Sequence, residues 1–447
     1  MTPLSPADQL FLWMEKRQQP MHVAGLQLFN FPEDAGPRYI RDLVEHLRTF
    51  SEPQHPFNKR LVRRFGQYFW ETDPQFDLEH HFRHRALPKP GRIRELLSYV
   101  SAAHSNLMDR QRPLWEVHLI EGVQGRRFAL YTKVHHSLFD GISAMRMGSR
   151  ALSTDIDARD LPPIWAMPPR RKPAGLPNPI DVATGAVRMT SGFSKQLATM
   201  PAVVKEMAKV ARKSQRDPNF VPFMNAPASI LNSDITGSRR FAAQSYPMER
   251  FKAIGKVFGC TLNDVVLAVC GSALRNYLIS QQALPDKPLI AMVPVSLRTD
   301  DSETGNQIAM ILANLGTEVA DPTLRLERVK ASVQEAKTRY KSMSSAELLN
   351  YTALMMAPAG LHLLTGLAPR LRAFNVIISN VPGPKEPLFW NGARMTGQYP
   401  VSIPVDQVAL NITLTSYVDQ LEFGLTACRR TLPSMQRLLG YLEHGIH

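Results

Sequence analysis

Two adjacent histidines, His135 and His136, stand shortly before the pair Asp140-Gly141 in the segment KVHHSLFDGIS, residues 133–143. A neutral imidazole with a pKa of about 6.5 accepts a proton from a hydroxyl group at neutral pH, so it can serve as a general base. The apolar run before the histidines indicates a strand, on which successive side chains point to opposite faces. We therefore expect one of the two histidines to be functional and the other to be structural.

The residues around this pair are a poor match for a metal site. Adjacent histidines differ from the i,i+4 pair of zinc peptidases, and no cysteine or third ligand stands nearby. Asp140 and Gly141 instead predict the start of a helix over ISAMRMGSRAL, with Asp140 as its cap. A second pair, His80-His81, lacks the following Asp-Gly, and we interpret it as part of a polar strand without function. The His-His dipeptide alone therefore carries little weight.

The elements around the histidines are those of a layered α+β protein. Alternating apolar residues predict strands in HVAGLQLFNF and RRFALYTKV, and later in RRFAAQSYPM, LIAMVPVSL, FNVIISNV and LNITLTSYVDQLEFGLTA. Apolar residues at helical spacing predict helices in YIRDLVEHLRTF, IRELLSYVSAAHSNLM, LNDVVLAVCGSALRNYLIS and LRLERVKASVQEAKTRYK. Both parts of the chain mix the two patterns, which favours α+β layers in each.

Length and composition support two domains. The chain has 447 residues, of which 44% are hydrophobic and 21% are charged, as in a globular protein rather than a disordered or fibrous one. Its three cysteines form no CxxC pair, which argues against a disulfide framework or a thiolate zinc site and favours a reducing cytoplasm. The first residues lack a basic start and predict a helix capped by Ser5, with Pro6 at its first position, rather than a signal peptide.

The net charge of +14 requires an anionic partner, and half of it is local. Residues 166–220 contain ten Lys or Arg and three acidic residues, a net charge of +7. Apolar residues at helical spacing run beside these bases, as in a helix that lies on an anionic bilayer. A helix that packs on the protein with solvated lysines outside explains the pattern equally well. Proline-rich borders mark this stretch as a linker, so we predict a first domain over 1–165, a basic helical linker over 166–235 and a second domain over 236–447.

The sequence resembles a known family. HHSLFDG matches the HHxxxDG signature of chloramphenicol-acetyltransferase-like acyltransferases and of peptide-synthetase condensation domains. The surrounding motifs SPADQLFLWME, PMHV, RPLWEVHLIEG, LNDVVLA, MVPVSLR, GNQIAMILANL and NVIISNVPGP resemble those of the bacterial wax ester synthase/diacylglycerol acyltransferases, in matching order over nearly the whole chain.

This resemblance implies two chloramphenicol-acetyltransferase-like α/β sandwich domains that form a pseudo-dimer, with the active site in a tunnel between them. The implied reaction transfers a long-chain acyl group from acyl-CoA, a substrate, to a fatty alcohol or a diacylglycerol, with no separate cofactor and no metal. The implied location is the cytoplasm, peripherally attached to the inner membrane or to lipid droplets through an anionic surface, with no nucleic acid partner.

The resemblance also assigns roles to the motif residues. His136 matches the catalytic second histidine and would take the proton of the acceptor hydroxyl. His135 would pack or orient. Asp140 matches the structural acid, and we pair it with Arg298 of VPVSLR, although a pure helix cap explains Asp140 about as well. The chain has no G-x-S-x-G elbow and the CoA thiolate leaves readily, so no acyl-enzyme is required.

Further residues are candidates for the oxyanion site and the substrate channel. Asn263 of TLNDVVLA could donate to the oxyanion, or it could simply cap its helix, because Thr261-x-x-Asp264 before an apolar run is a helix-start signature. Pro113 and Trp115 of the PLW segment are expected to shape the core. Ser379 and Asn380 of SNVPGP could line the channel or could belong to a rigid turn.

An apolar stretch at residues 347–369 bears on the length of the acyl chain. Its polar residues and prolines argue against a membrane span, so we interpret it as buried helices. If these helices line an acyl tunnel, the small residues Ala357, Ala359 and Gly360 would admit a long chain, although core packing alone also explains the stretch.

Two rival functions come from other classes. A condensation-type enzyme that acts on other acceptors would share HHSLFDG, but the remaining motifs are those of the lipid enzymes. A non-enzymatic basic protein that binds a membrane would explain the net charge, but it would not explain the His-His-x-x-x-Asp-Gly arrangement. Aromatic residues are sparse in the basic stretch, which argues against single-stranded nucleic acid.

Overall fold

The computed structural model describes residues 1–64, 66–139, 141–168, 221, 226–296, 308–341, 343 and 372–447. Several residues singled out from the sequence lie outside these ranges: Asp140, Arg298, Ala357, Ala359, Gly360 and most of the basic linker. Their predicted roles stay predictions.

The first half of the chain contains seven strands and five helices in its described part. The strands are β1 (Thr2–Pro3), β2 (His22–Asn30), β3 (Lys59–Arg64), β4 (Gln67–Thr72), β5 (Phe82–Ala86), β6 (Trp115–Val123) and β7 (Arg127–His135). The helices are α1 (Pro6–Met14), α2 (Tyr39–Arg48), α3 (Leu78–His81), α4 (Ile93–Ser105) and α5 (Gly141–Arg150).

The second half has eight strands and four helices in the residues that are described. The strands are β8 (Arg239–Pro247), β9 (Ile290–Ser296), β10 (Ile308–Asn314), β11 (Val376–Val381), β12 (Phe389–Trp390), β13 (Ala393–Val401), β14 (Leu410–Tyr417) and β15 (Gln420–Cys428). The helices are α6 (Met248–Phe258), α7 (Leu262–Ser280), α8 (Pro322–Lys341) and α9 (Arg437–Ile446).

Most predicted elements are present, and the errors are local. The N-terminal helix begins as predicted, with the Ser5 side chain accepting a hydrogen bond from the Asp8 N–H. His80 and His81 do not lie in a strand, so that prediction is wrong: they form the last turn of α3, which Asp77 caps. Among the described helices, none is by itself long and apolar enough to cross a bilayer, and the pair α6 and α7 has sufficient length only with a bend of 103° between them.

The second half of the chain contributes two strands to the first six-stranded sheet. The first sheet has the order β12-β13-β2-β7-β6-β5, and the second has the order β10-β9-β11-β14-β15-β8. β13 pairs antiparallel with β2, so a segment that follows β11 in the chain completes the sheet of the first half. A division of the chain at residue 235 therefore does not separate the sheets completely, and the predicted domain limits themselves stay predictions.

Close backbone contact joins the two sheets where β13 passes β15. A Cβ atom added at Gly424 on β15 would lie 1.9 Å from the carbonyl oxygen of Pro400 on β13, so only glycine allows this approach. Beside it, the buried Glu422 carboxylate accepts a hydrogen bond from Ser245, whose hydroxyl also contacts the Tyr399 hydroxyl at 2.9 Å. A small polar cluster thus crosses the joint between the two sheets.

Glu422 makes the stability of this joint depend on pH. Burial raises the pKa of its carboxyl to about 7, against the opposing effect of the hydrogen bonds from Ser245 and Tyr399. A raised carboxyl pKa adds stability below the unfolded value of about 4.5, and this stability is lost as the pH rises through 7. We predict that Glu422→Gln raises the free energy of unfolding by about 3 kcal/mol at pH 8 and leaves it unchanged at pH 4.

Thermal and denaturant unfolding at both pH values measure this difference. Glu249→Gln is the matched control, because Glu249 is exposed in the first turn of α6. A Glu422→Gln variant that is no more stable than the parent at pH 8 would contradict the account of the joint.

Candidate active site

The histidine pair is held in place through its backbone. His135 is the last residue of β7, and its N–H donates to the Leu114 carbonyl at 3.0 Å. The N–H of His136 donates to the Met21 carbonyl at 2.9 Å. Leu114 and Met21 immediately precede β6 and β2, the two neighbours of β7. Each histidine is therefore fixed by a different adjacent strand.

The side chain of His135 is completely buried and points to an acid. Its Nδ1 accepts a hydrogen bond from the Ser137 N–H at 3.1 Å, so in the neutral ring the proton lies on Nε2. Nε2 lies 3.3 Å from the Glu15 carboxylate, at ion-pair distance. These contacts suit a packing and orienting group.

Glu15 ties the N-terminal helix to this site. It directly follows α1, and its carboxylate accepts hydrogen bonds from the Arg110 guanidinium at 3.0 Å and from the Met21 N–H at 3.2 Å. Burial opposes ionisation of Glu15, but the contact with His135 and the bonds from Met21 and Arg110 bring its pKa below the usual value. The carboxylate is therefore charged at neutral pH and attracts the Nε2–H of His135.

His136 lies in the turn after β7 and is half-buried. The ring of Phe11 stacks on its imidazole, with centroids 4.0 Å apart and an interplanar angle of 25°. α5 begins at Gly141, as predicted from the sequence. His135 and His136 thus differ as expected for neighbours on opposite faces: one is enclosed, and the other is covered on one side by an aromatic ring.

The PLW segment supports this arrangement from the core. Pro113 is buried, and the Trp115 side chain is 1% exposed. The Trp115 indole donates to the Phe57 carbonyl at 2.8 Å and stacks on the His81 ring. His81 is buried there, and burial lowers its pKa to about 4, so it is a neutral core residue.

Asn263 lies in the first turn of α7, in the second half of the chain. The helix cap is Thr261, which forms a capping box with Asp264, so the alternative interpretation of Asn263 as the cap is wrong. Its side chain is half-buried, and no hydrogen bond joins it to the histidine pair within the described residues. A role at the oxyanion stays a prediction.

Ser379 and Asn380 belong to β11 rather than to a turn, because they pair with Thr413 and Leu414 of β14. The turn begins only at Pro382. Both side chains are half-buried, and neither lines the cleft described next.

A cleft of about 550 Å³ lies between α5 and the turn at 382–384. The helix that follows the histidine motif forms one wall, and the motif SNVPGP contributes the other. The sequence alone does not predict that these two segments lie side by side. It also assigns no role at the site to Phe11 or Glu15. A signal for the latter two was present in the motif SPADQLFLWME.

Comparisons with known proteins first define the class. The structure resembles the first condensation domain of the CDA synthetase, with a TM-score of 0.57 and 14% identity, over 100% of this chain and 94% of that one. At this identity the likeness shows the fold alone. The predicted α+β class with two sheet-rich halves is confirmed, and the fold is that of the condensation domains.

The family follows from closer matches. The family model of the wax ester synthase/diacylglycerol acyltransferase catalytic domain matches residues 4–266, and that of the WS/DGAT C-terminal domain matches residues 304–447. The chain therefore belongs to the wax ester synthase/diacylglycerol acyltransferase family, and it is an O-acyltransferase.

Individual relatives cover almost the full length. The chain is 51% identical to the O-acyltransferase WSD of Acinetobacter baylyi, over 100% of this chain and 96% of the relative. It is 44% identical to a putative diacylglycerol O-acyltransferase of Mycobacterium tuberculosis, over 99% and 98%. The wax ester synthase/diacylglycerol acyltransferase of Marinobacter aquaeolei VT8 superposes with a TM-score of 0.82 at 53% identity, over 100% of this chain and 98% of that one.

The stack of Phe11 on His136 leads to a test of positioning. An aromatic pair contributes about 0.5–1.5 kcal/mol, so Phe11→Ala is expected to lower kcat about two- to tenfold, because the imidazole loses one wall. Trp13→Ala is the matched control, since Trp13 lies on the same helix with 61% of its surface exposed. Acyl transfer to a short, water-soluble alcohol is measured alongside thermal unfolding. Equal kcat values for Phe11→Ala and the parent protein would show that the stack does not position His136.

Proposed function

We propose that the protein transfers long-chain acyl groups from acyl-CoA to the hydroxyl group of a fatty alcohol or of a diacylglycerol. The observation that carries this proposal is the placement of His136 in the turn between β7 and α5, next to the enclosed His135 that contacts Glu15, and α5 lines the cleft between the halves. The names of the relatives support both acceptor classes.

In this mechanism His136 is the general base. Its imidazole takes the proton of the acceptor hydroxyl while the oxygen attacks the thioester carbonyl. The tetrahedral intermediate expels the CoA thiolate, which takes up the proton held by His136. Transfer is direct, with no acyl-enzyme and no cofactor besides the acyl-CoA substrate. Asn263 is our candidate donor to the oxyanion, where loss of one donor typically costs about a hundredfold in kcat.

Other residues have supporting roles in the proposal. Asp140 would pair with Arg298 and hold the turn after His136. The small side chains of Ala357, Ala359 and Gly360 would leave room for a long chain. Ser379 and Asn380, near the end of β11, would border the channel.

The protein would take its lipid acceptors from an anionic membrane or lipid-droplet surface. Supporting this, α1 exposes 50% of Leu10 and 61% of Trp13, while Phe11 of the same helix contacts His136. One face of α1 would therefore meet lipid directly above the base. The net charge of +14, concentrated in residues 166–220, would attract acidic headgroups.

Two rivals predict different behaviour. A condensation-type enzyme with another acceptor would release no thiol when palmitoyl-CoA and hexadecanol are supplied. A non-enzymatic membrane-binding protein would bind vesicles but would not consume the thioester. Release of thiol together with binding to vesicles would favour the proposal over both rivals.

Release of free thiol from palmitoyl-CoA in the presence of hexadecanol tests the role of His136. We predict that His136→Ala abolishes this release while the protein stays folded, because the acceptor hydroxyl loses its base. His80→Ala is the control and should retain the parent rate, since His80 is an exposed residue of α3. Turnover at the parent rate by a folded His136→Ala variant would contradict the assignment of His136 as the general base.

Co-sedimentation with vesicles tests the lipid surface. Replacing Leu10 and Trp13 together by serine is expected to weaken binding about tenfold. The loss should be the same on neutral and acidic vesicles, because the double variant loses apolar contact with the lipid. Val257→Ser on α6 is the matched control, as Val257 is 77% exposed.

Reversal of charge in the basic segment separates the electrostatic contribution. Changing Lys205, Lys209, Arg212 and Lys213 to glutamate should weaken binding to acidic vesicles only, by up to about 1 kcal/mol per residue, and less at high salt. Vesicle binding that neither set of changes affects would refute the proposed lipid contact.

A further inference from the structure

The cleft between α5 and the turn at 382–384 contains cationic groups that the mechanism above does not use. Arg146 and Arg150 of α5 line it, together with Gln398 of β13. We propose that this cleft binds the coenzyme A portion of the donor: the two arginines bind its phosphates, and Gln398 binds its pantetheine arm. The inference rests on the proposed function and extends it to a site for the donor's leaving group.

The two arginines form an uncompensated cationic pair. They are four residues apart on one helix, so their side chains project from the same face. Both are exposed to solvent, and no carboxylate among the described residues lies within ion-pair distance of either guanidinium. Guanidinium groups bind phosphate oxygens through two parallel, charge-assisted hydrogen bonds, and the donor carries three phosphates.

Gln398 gives an independent indication of a ligand. Its side chain is 3% exposed, and its Oε1 has no hydrogen-bond partner among the described residues. A buried polar atom without a partner costs about 1–3 kcal/mol, which a ligand that donates a hydrogen bond recovers. The two amide N–H groups of the pantetheine arm are such donors, so Gln398 suits the middle part of coenzyme A.

The distances along α5 agree with the length of this arm. α5 begins five residues after His136, and at 1.5 Å per residue Arg146 and Arg150 lie about 8 and 14 Å along the helix. The pantetheine arm is about four extended backbone units long, or roughly 14 Å. With the thioester near the first residue of α5, an arm extended along this helix would place the diphosphate beside Arg150.

The opposite wall of the cleft is rigid. The Gly383 N–H donates to the Ser416 hydroxyl at 3.0 Å, and a Cβ atom at Gly383 would lie 2.0 Å from the Ser416 carbonyl oxygen. Two prolines flank this glycine and restrict the backbone further. A preformed cleft loses little entropy when a ligand binds.

Two donors that differ only in phosphate content test the proposal. Steady-state thiol release is measured with palmitoyl-CoA and with palmitoyl-pantetheine for the parent protein, Arg146→Ala, Arg150→Ala and the double variant. We expect each single change to raise KM for palmitoyl-CoA about tenfold, with kcat within twofold, and to leave KM for palmitoyl-pantetheine unchanged. Arg150→Lys should recover part of the loss, because it keeps the charge without the planar fork.

An exposed arginine pair outside the cleft provides the control. Arg429→Ala with Arg430→Ala removes two charges just after β15, so it corrects for the change in net charge. Adenosine 3′,5′-bisphosphate should inhibit the parent competitively against palmitoyl-CoA, with a higher inhibition constant for the cleft variants only.

Several results would overturn the proposal. These are equal losses with both donors, equal losses in the control pair, or variants that lose binding to acidic vesicles while KM for palmitoyl-CoA stays at the parent value. If the parent protein releases no thiol from either donor, the proposed function fails. Calorimetric titration of the parent and the double variant with coenzyme A then tests the cleft as a binding site independently of activity. An unchanged Kd for coenzyme A in the double variant would exclude the cleft as a coenzyme A site.

Discussion

The proposed active site depends on different surroundings for two consecutive residues at the end of one strand. His135 is enclosed and faces a charged carboxylate, whereas His136 is half-buried and stacks on an aromatic ring. Two backbone hydrogen bonds, to Leu114 and Met21, hold the chain at this point. Since these carbonyls belong to the segments that lead into β6 and β2, the central sheet of the first half sets the direction of both imidazoles.

The same constraint explains the position of the N-terminal helix. α1 places Phe11 on His136, and Glu15 directly follows its last residue, so one short segment contacts both histidines. A buried carboxylate is costly unless it is paired, and here Arg110 and the Met21 N–H complete its partners. The charge is therefore stable only when α1, the loop before β6 and β7 are all in place. This makes the geometry of the site a property of the whole first half.

The addition of β12 and β13 to the first sheet then brings the second half to the site. Because β13 completes the first sheet, the segment that leads into it must cross between the halves, and its turn at 382–384 lies opposite α5. The close approach of Gly424 to Pro400 fixes this crossing. The cleft is thus formed by two segments more than 200 residues apart in the chain.

Local patterns in the sequence predicted much of this architecture. Alternation and helical spacing indicated most strands and helices, and the motif at His135 and His136 indicated the chemistry. Contacts between distant segments could not be predicted, because periodicity carries no information about partners: the pairing of β13 with β2 and the approach of Glu15 to His135 are examples. Short helices could not be predicted from the sequence for another reason. The four residues of α3 are too few to show a helical period, so His81 was assigned to a strand.

We propose that Glu15 holds His135 as the Nε2–H tautomer, while His136 acts as the general base. A neutron diffraction structure at neutral pH would locate these protons directly. We expect deuterium on Nε2 of His135, between that atom and the Glu15 carboxylate, and none on Nδ1, which accepts from the Ser137 N–H. Deuterium on Nδ1 with a bare Nε2 facing Glu15 would contradict it.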